Sequence, residues 1–404
     1  MGIRQCSKPY HIDHSIIYPM NVQKAFRYRV YPSPAQQHLL AVQFGHARFV
    51  YNWTLAAQRD HYQQHGTGLN YYATATLLKS LKRSEDHAWL KEADSQVLQQ
   101  KLMDLDRAYV NFFEHRAKYP RFKTKRAPQS IRYPQRFKFN GNRIYLPKVG
   151  WVKIVLHRPM EGTPKNVTVS KTKSGEYYAS VQCEMQVEKP IPSGLPAVGI
   201  DLGLKHFAVL STGEKIEHPQ YLRQAEKRLA RLQRRLSRKQ KGSANRNKAR
   251  MRVARQSETV ARQRQDFLHK LSYRMVTEHG LVKLETLNVK GMVRNHSLAK
   301  SISDSGWGMF GRMCEYKAPW HGSVVLRVDR FFPSSKTCHV CGVVVDGLTL
   351  ATRIWTCEAC GTEHDRDHNA AINLLNAPTA GAAESTPVEI VSDAKAFVPA
   401  RNDR

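Results

Sequence analysis

Four cysteines and three acidic residues are the parts of this chain whose types and spacing could do chemistry. Cys338 and Cys341 form one CxxC, Cys357 and Cys360 a second, and each pair is followed by a glycine, Gly342 or Gly361, that can turn the backbone toward a metal. That is the ligand set and spacing of a zinc ribbon. Four thiolates close a tetrahedral Zn²⁺ and leave no open position for water. The metal is therefore expected to be structural, contributing roughly 10 to 16 kcal/mol of local folding energy. The alternatives are a disulfide pair or four unrelated cysteines, and the paired spacing and a chain that reads as intracellular disfavour them. His339 and His364 lie nearby in the sequence and read as neighbours of the thiols or surface residues rather than ligands.

The acids are spread more widely. Asp201 ends the apolar run that starts at Ala197, Glu285 ends the run from Leu281 to Leu284, and Asp367 stands before an alanine-rich helix expected from His368 to Leu375. Taken singly, Asp201 reads as a turn residue and Asp367 as a helix N-cap. Taken together, three carboxylates at one end of a sheet would repel one another unless cations sat between them. Hard oxygen ligands of this kind suit Mg²⁺ or Mn²⁺. Two such ions about 4 Å apart can activate a water and stabilise the leaving oxygen in phosphodiester cleavage.

Charge supplies the substrate class. Among 404 residues, 64 Lys and Arg face 33 Asp and Glu, a formal charge of +31 that a polyanion would neutralise. Nucleic acid is the expected partner. No apolar run reaches the roughly 18 residues of a membrane span. The N-terminus lacks an apolar signal core, and Cys6 stands where a myristoylation signal needs Ser or Thr. The reading is a soluble, cytoplasmic protein, with Cys6, Cys183 and Cys314 as packing or surface residues.

The elements that must hold these groups follow in chain order. Translation is expected to begin near Met20, which makes residues 1–19 a dispensable extension. A strand from Lys24 to Tyr31 precedes a Pro-Ser-Pro break, and a helical pattern then runs from Ala35 to about Arg116, interrupted at Gly66. Between Arg116 and Lys138 nine basic residues and no acid are interleaved with Tyr119, Phe122, Tyr133 and Phe137. Such alternation suits phosphate contact plus base stacking, with Arg121, Lys123, Lys125 and Arg126 as the contacts. The period then changes to two, predicting strands at Arg143 to Leu146, Val152 to Leu156, Val167 to Ser170 and Tyr177 to Met185. With the first strand these could close a small barrel interrupted by the helices.

After a Pro-rich linker at 189, strands are expected at Ala197 to Gly203 and Phe207 to Leu210. The 44 residues from Tyr221 to Arg264 hold sixteen Lys or Arg and two acids, and Leu222, Ala225, Leu229, Leu232 and Leu236 make a helical stripe. A basic helical hairpin of this density is expected to touch a nucleic-acid backbone through Arg231, Arg234, Arg235 and Arg238, with Lys336 adding a contact near the ribbon. A helix from Trp307 to Trp320 and a strand from Ser323 to Val328 lead to the cysteines. Beyond Leu375 the composition predicts a disordered tail.

Several of these stretches resemble one family. IDLG at 200–203, LETLNVKGM at 284–292, SISDSGWGMF at 301–310, RFFPSSKTCHVCG at 330–342 and CGTEHDRDHNAAINLL at 360–375 are similar to TnpB (OrfB), the transposon-encoded RNA-guided DNA endonucleases related to type V CRISPR nucleases. RVYPSPAQ at 29–36 and RFVYNW at 48–53 match its N-terminal part. The resemblance covers about residues 20–376. It implies a multidomain α/β protein: a wedge β-barrel at 20–34 and 120–190, a helical recognition domain at 35–119, a RuvC-like, RNase H-type nuclease domain at 191–335 and 362–377, a zinc ribbon at 336–361 and a tail at 378–404. It also implies a catalytic triad of Asp201, Glu285 and Asp367 binding Mg²⁺ or Mn²⁺, zinc on Cys338, Cys341, Cys357 and Cys360, a guide RNA from the transposon end, and cleavage of double-stranded DNA beside a short transposon-adjacent motif. Thr286 replaces an acid frequent in the family, and the DxNAA pattern selects Asp367 over Asp365 as the third acid. The resemblance leaves open whether one copy or a homodimer binds each RNA. Specificity would then reside mainly in base pairing with the guide.

Three other readings use fewer of these residues. A nuclease-inactive RNA-guided DNA-binding repressor would not need the acids, a transposase acting on transposon ends would need no RNA, and a plain zinc-ribbon RNA-binding protein leaves Asp201 and Glu285 without a role.

Overall fold

The computed structural model describes residues 19–188, 194–349 and 352–378, and these form two compact units. Of the expected N-terminal extension at 1–19 and the expected tail at 378–404, residues 1–18 and 379–404 lie outside the described residues.

The first unit holds the described residues up to Glu188 together with Arg231–Glu258. It starts with β1 (Pro19–Tyr31), followed by α1 (Pro34–His65), α2 (Tyr71–Leu81), a 3₁₀ turn (Glu85–Glu92) and α3 (Ser95–Phe113). Ser33 starts α1 with a reciprocal capping box to Gln36, with Pro34 in the first turn, and Gly66 ends it at φ 69°, so the break read at Gly66 is a left-handed helix cap. Strands β2 (Gln129–Tyr133), β3 (Lys138–Asn140), β4 (Arg143–Leu146), β5 (Gly150–Val155), β6 (Thr163–Lys171) and β7 (Tyr177–Glu188) complete a seven-stranded sheet in the order β2-β6-β7-β1-β5-β4-β3. Among the described residues all of its pairings are antiparallel, and no ladder joins β2 to β3 to close a barrel.

Alternation explains the sheet. Phe26, Tyr28 and Val30 of β1, Val152 and Ile154 of β5, and Val167 and Val169 of β6 point to one face and share a core with Leu40, Phe44 and Ala47 of α1. β2 and β3 escape the sequence reading because their flanks are basic and proline-broken. Tyr133 ends β2 fully buried, and Phe137 packs against the same core, so neither is the stacking platform expected of it. Tyr119 and Phe122 do remain exposed.

The second unit holds the described residues from Gly194 to Ala230 and from Thr259 on. Its elements are β8 (Ala197–Leu202), β9 (His206–Leu210), β10 (Lys215–Glu217), α4 (Tyr221–Ser237), α5 (Ala244–Glu278), β11 (Leu281–Glu285), α6 (Val289–Met292), α7 (Ala299–Ser305), α8 (Trp307–Lys317), β12 (Val324–Val328), β13 (Ile354–Thr356), β14 (Glu363–Asp365) and α9 (Arg366–Asn376), with α4 and α5 crossing the unit boundary. A five-stranded sheet runs β10-β9-β8-β11-β12. The β8, β11 and β12 strands are parallel, and β9 and β10 continue antiparallel. Strands flanked by helices read as continuous apolar runs, which is why Ala197 to Ile200 and Leu281 to Leu284 stand out in a basic chain. Leu268, Leu271 and Met275 of α5 and Trp307, Phe310 and Met313 of α8 fill the core against them. Phe207 meets Phe267 and Phe310 edge-on at 5.1 and 5.4 Å.

Along α4 the stripe Leu222, Ala225, Leu229, Leu232 and Leu236 is the covered face, and Arg231, Arg234, Arg235 and Arg238 are exposed. No helix among the described residues is long and apolar enough to cross a membrane.

Candidate active site and metal centre

Parallel pairing brings the first two acids together. Leu284 stands opposite Ile200, so Asp201 and Glu285 follow as neighbours at the same end of β8 and β11. Leu202 N–H donates to Glu285 Oε1 at 3.2 Å, and Arg327 of β12 donates to the Glu285 carbonyl at 3.2 Å. Arg327 is itself held by Glu315 of α8 at 2.8 Å, and Gly311 leaves the space its guanidinium occupies.

The third acid arrives on a helix. A Cβ on Gly199 would lie 2.1 Å from the Ala371 carbonyl and 2.6 Å from Leu375 N, so α9 sits directly on the backbone of β8. Lys283 of β11, buried, catches the far end of α9 by donating to the Ala377 carbonyl at 2.8 Å. α9 begins at Arg366, two residues earlier than the composition suggested, and its N-cap is Asp365 rather than Asp367. Asp365 Oδ1 accepts from Asp367 N–H at 3.0 Å and His368 N–H at 3.2 Å, while its Oδ2 takes Lys215 Nζ at 2.6 Å. Those donors hold the Asp365 carboxyl below the usual carboxylate range, the Lys215 ammonium countering what burial would do. Asp367, relieved of capping, meets Arg353 Nη1 at 3.4 Å.

The charges of the second and third acids bear on the carboxyl of the first. The Asp201 carboxyl is held well above the usual carboxylate range, first by burial and then by the negative charges of Glu285 and Asp367, with Arg366 and Arg353 pulling the other way. Burial pushes Glu285 up to about 7 against the Leu202 N–H and Arg327. Acids that raise one another in this way, with Arg353 offsetting Asp367 from one side, are a donor set suited to a hard divalent cation. Among the described residues, however, only the four thiols are gathered tightly enough to enclose a metal as they stand.

Those thiols lie within 4.8 Å of one another. Cys338 and Cys360 are 3.6 Å apart, as are Cys341 and Cys357. Tetrahedral zinc with bonds of about 2.3 Å requires sulfur separations of about 3.8 Å, whereas a disulfide would need about 2.05 Å. The set fits zinc, and the six described cysteines are free thiols. Two matched knuckles build it: Gly342 N donates to the Cys338 carbonyl and Cys338 N to Val343, and Gly361 N donates to the Cys357 carbonyl and Cys357 N to Thr362, at 2.7 to 2.9 Å. Both glycines have φ above 70°, the left-handed conformation such turns need. His364 is buried, with Nε2 3.0 Å from Cys338 Sγ, and His339 lies beside it at a ring separation of 4.8 Å. Cys183 and Cys314 are buried packing residues, and Cys6 lies outside the described residues.

The expected nucleic-acid contacts are a mixed set. Arg121, Lys125, Arg126 and Lys336 are exposed. Lys123 is exposed as a residue, but its ammonium sits 3.7 Å over the Tyr51 ring, and burial lowers its proton affinity. Asn52 clamps the Lys123 backbone from both sides at 2.7 and 2.9 Å. Sequence reading passed over Gly199, Arg327, Arg353, Asn369 and Asn373. Only the last two carried a signal, an i,i+4 asparagine pair in an apolar helix.

Comparison with known proteins places these features in context. Residues 180–296 match a family model described as "Probable transposase" (OrfB_IS605), 307–374 the Cas12f1-like TNB domain, and 20–67 an OrfB helix-turn-helix domain. Over that last stretch the described residues form a strand and one long helix. A Streptomyces pristinaespiralis protein named "Putative RNA-guided DNA endonuclease" is 42% identical over 90% of this chain and 91% of its own. Its namesake InsQ of Escherichia coli K12 is 35% identical over 88% and 92%. In fold, the chain is similar to the Cas12f1 chain of a Cas12f1–sgRNA–target DNA complex, with a TM-score of 0.58 at 14% identity over 88% of this chain and 99% of that one.

Proposed function

Because the chain belongs to the TnpB (OrfB) family, we propose that it is an RNA-guided DNA endonuclease whose phosphodiester hydrolysis is carried by Asp201, Glu285 and Asp367. The observation that supports this reading is geometric: β8 and β11 pair in parallel and end side by side at Asp201 and Glu285, and α9, which bears Asp367, rests on the backbone of β8. In keeping with this, the charges of both other acids raise the Asp201 carboxyl. On this reading the second unit is the RuvC-like nuclease domain, and the seven-stranded sheet and its helices are the wedge and recognition parts.

The three carboxylates would hold Mg²⁺ or Mn²⁺, which when bound supplies an activated water and charge neutralisation at the leaving oxygen. The chain's own residues prepare that site. Leu202 N–H and Arg327 orient Glu285, Asp365 takes over the capping duty, and α9 resting on Gly199 sets where Asp367 stands. Zinc on the four cysteines would be structural. The exposed arginines of α4 and the loop from Arg121 to Arg126 offer charge to the backbone of a guide RNA and of double-stranded target DNA, base pairing supplies sequence choice, and the protein reads a short adjacent motif.

The test is to sequence RNA that co-purifies with the protein and then reprogram its guide segment. Mg²⁺-dependent double-strand breaks that follow the guide are expected, and they should vanish in Asp201→Ala, Glu285→Ala and Asp367→Ala while guided binding survives. The description of the first family model favours a second reading, a transposase. Strand-transfer products from transposon ends without RNA would overturn the nuclease in its favour.

A further inference from the structure

Two asparagines on α9 take no part in the chemistry above. Asn369 and Asn373 are 1% and 6% exposed and stand one turn apart, on one face of the helix. Asn369 Oδ1 accepts from His339 N–H at 3.0 Å, and its Nδ2 donates to the Thr337 carbonyl at 2.8 Å. Asn373 Nδ2 donates to the carbonyls of Ser334 at 2.8 Å and Thr337 at 2.6 Å. These partners are backbone of the segment that contains Cys338, and the His339 ring Nδ1 also lies 3.0 Å from Asn369 Oδ1.

The second knuckle reaches the same helix through the chain. Trp355 pairs with His364 and Ile354 with Asp365 in the β13–β14 ladder, and Arg366 N–H donates to the Arg353 carbonyl at 2.9 Å. The N-terminal two turns of α9 are thus gripped by one knuckle through two carboxamides, and the start of the helix by the other through β14. Removing Asn373 takes the 2.8 Å donor from the Ser334 carbonyl, and removing Asn369 takes the acceptor from His339 N–H. A polar group buried without its partner bears the cost of desolvation, so neither carboxamide can be exchanged for an apolar group without loosening the grip.

We propose that Asn369 and Asn373 are positioning residues that tie the thiolate centre to the helix bearing Asp367, so that metal occupancy at the cysteines and the placement of Asp367 form one coupled element. The part concerning cleavage rests on the reading of Asp367 as a catalytic carboxylate. The coupling is reciprocal: what loosens the carboxamides loosens the metal, and what removes the metal releases Asp367. Partners just outside a metal's ligand shell typically change metal affinity by 10- to 100-fold.

The experiment uses the full chain with its co-purified RNA and compares Asn369→Ala, Asn373→Ala, the isosteric Asn369→Asp and the control Leu374→Ala, whose side chain packs with Val328 and Phe332 instead. Zinc release to a colorimetric chelator is timed at fixed pH, and the Mg²⁺ concentration for half-maximal cleavage is measured beside guided DNA binding. Release should be about 10- to 100-fold faster in the alanine variants and intermediate in Asn369→Asp, which keeps the acceptor for His339 N–H but loses the donor to Thr337. The Mg²⁺ midpoint should rise with guided binding unchanged, and Leu374→Ala should lower thermal stability without speeding release. Asparagine variants that melt like Leu374→Ala yet hold zinc within twofold of the parent overturn the tie. A parent complex that cuts no DNA overturns the catalytic reading alone, and zinc release still decides the coupling.

Discussion

Asp365 Oδ1 accepts the backbone N–H of Asp367 at 3.0 Å, so one aspartate caps the helix and releases the carboxylate of the other from capping. The division of labour is testable. Asp367→Asn should leave the melting temperature near that of the parent and abolish cleavage. Asp365→Ala should instead cost about 1 kcal/mol of stability as a lost cap, with cleavage reduced but not abolished. Thermal melts and cleavage assays on both variants check it, and the reversed pattern would assign the roles the other way.

Gly199 tests whether α9 must touch β8. Gly199→Ala places a methyl 2.1 Å from the Ala371 carbonyl. Overpacking of this kind costs about 1 to 3 kcal/mol, and α9 has to lift to relieve it. Cleavage should fall steeply while co-purified RNA is retained, since no expected RNA contact lies on α9.

The thiols should behave as a closed structural site. Cys338→Ser or Cys357→Ser is expected to remove close to one equivalent of zinc per chain and to lower stability by several kcal/mol, with activity lost in step. Metal content by atomic emission and a melt of the same sample decide it. Full zinc retention in either variant would exclude that cysteine as a ligand.

The acids predict an inverted pH dependence for protein stripped of divalent cations. Glu285, raised to about 7, and Asp201, also raised, bind protons in the folded state that the unfolded state has released. Stability attributable to them is therefore present below their unfolded values, near 4, and declines as pH climbs toward 7. Added Mg²⁺ should raise the melting temperature more at pH 8 than at pH 5.5. Equal gains at both values would mean that the carboxylates do not share a cation.

Among the aromatics of the basic segment, burial separates two outcomes. Tyr133→Ala should destabilise by about 3 to 5 kcal/mol as a core deletion, while Phe122→Ala leaves stability unchanged and weakens RNA binding. For Arg231, Arg234, Arg235 and Arg238, each substitution by alanine that removes a phosphate contact should flatten the salt dependence of RNA binding by about one unit of slope. An unchanged slope would exclude that arginine.

What the sequence determined by itself was whatever is local. The two CxxC knuckles, the apolar strands ending at Asp201 and Glu285, and the period-two run from Arg143 to Met185 are legible because a few neighbouring residues dictate each turn, strand or ligand pair. Even the helix stripe from Leu222 to Leu236 needs nothing beyond its own spacing. Tertiary structure decided the rest. Which of Asp365 and Asp367 caps the helix depends on where Lys215 and Arg353 lie, Tyr133 is buried because β2 pairs with β6 residues 34 or more positions away, and Gly199 matters only because α9 returns to it from much later in the sequence. The physical reason is the same in each case: spacing along a chain specifies backbone conformation, but the field and the free space around a side chain are set by residues that only folding brings near.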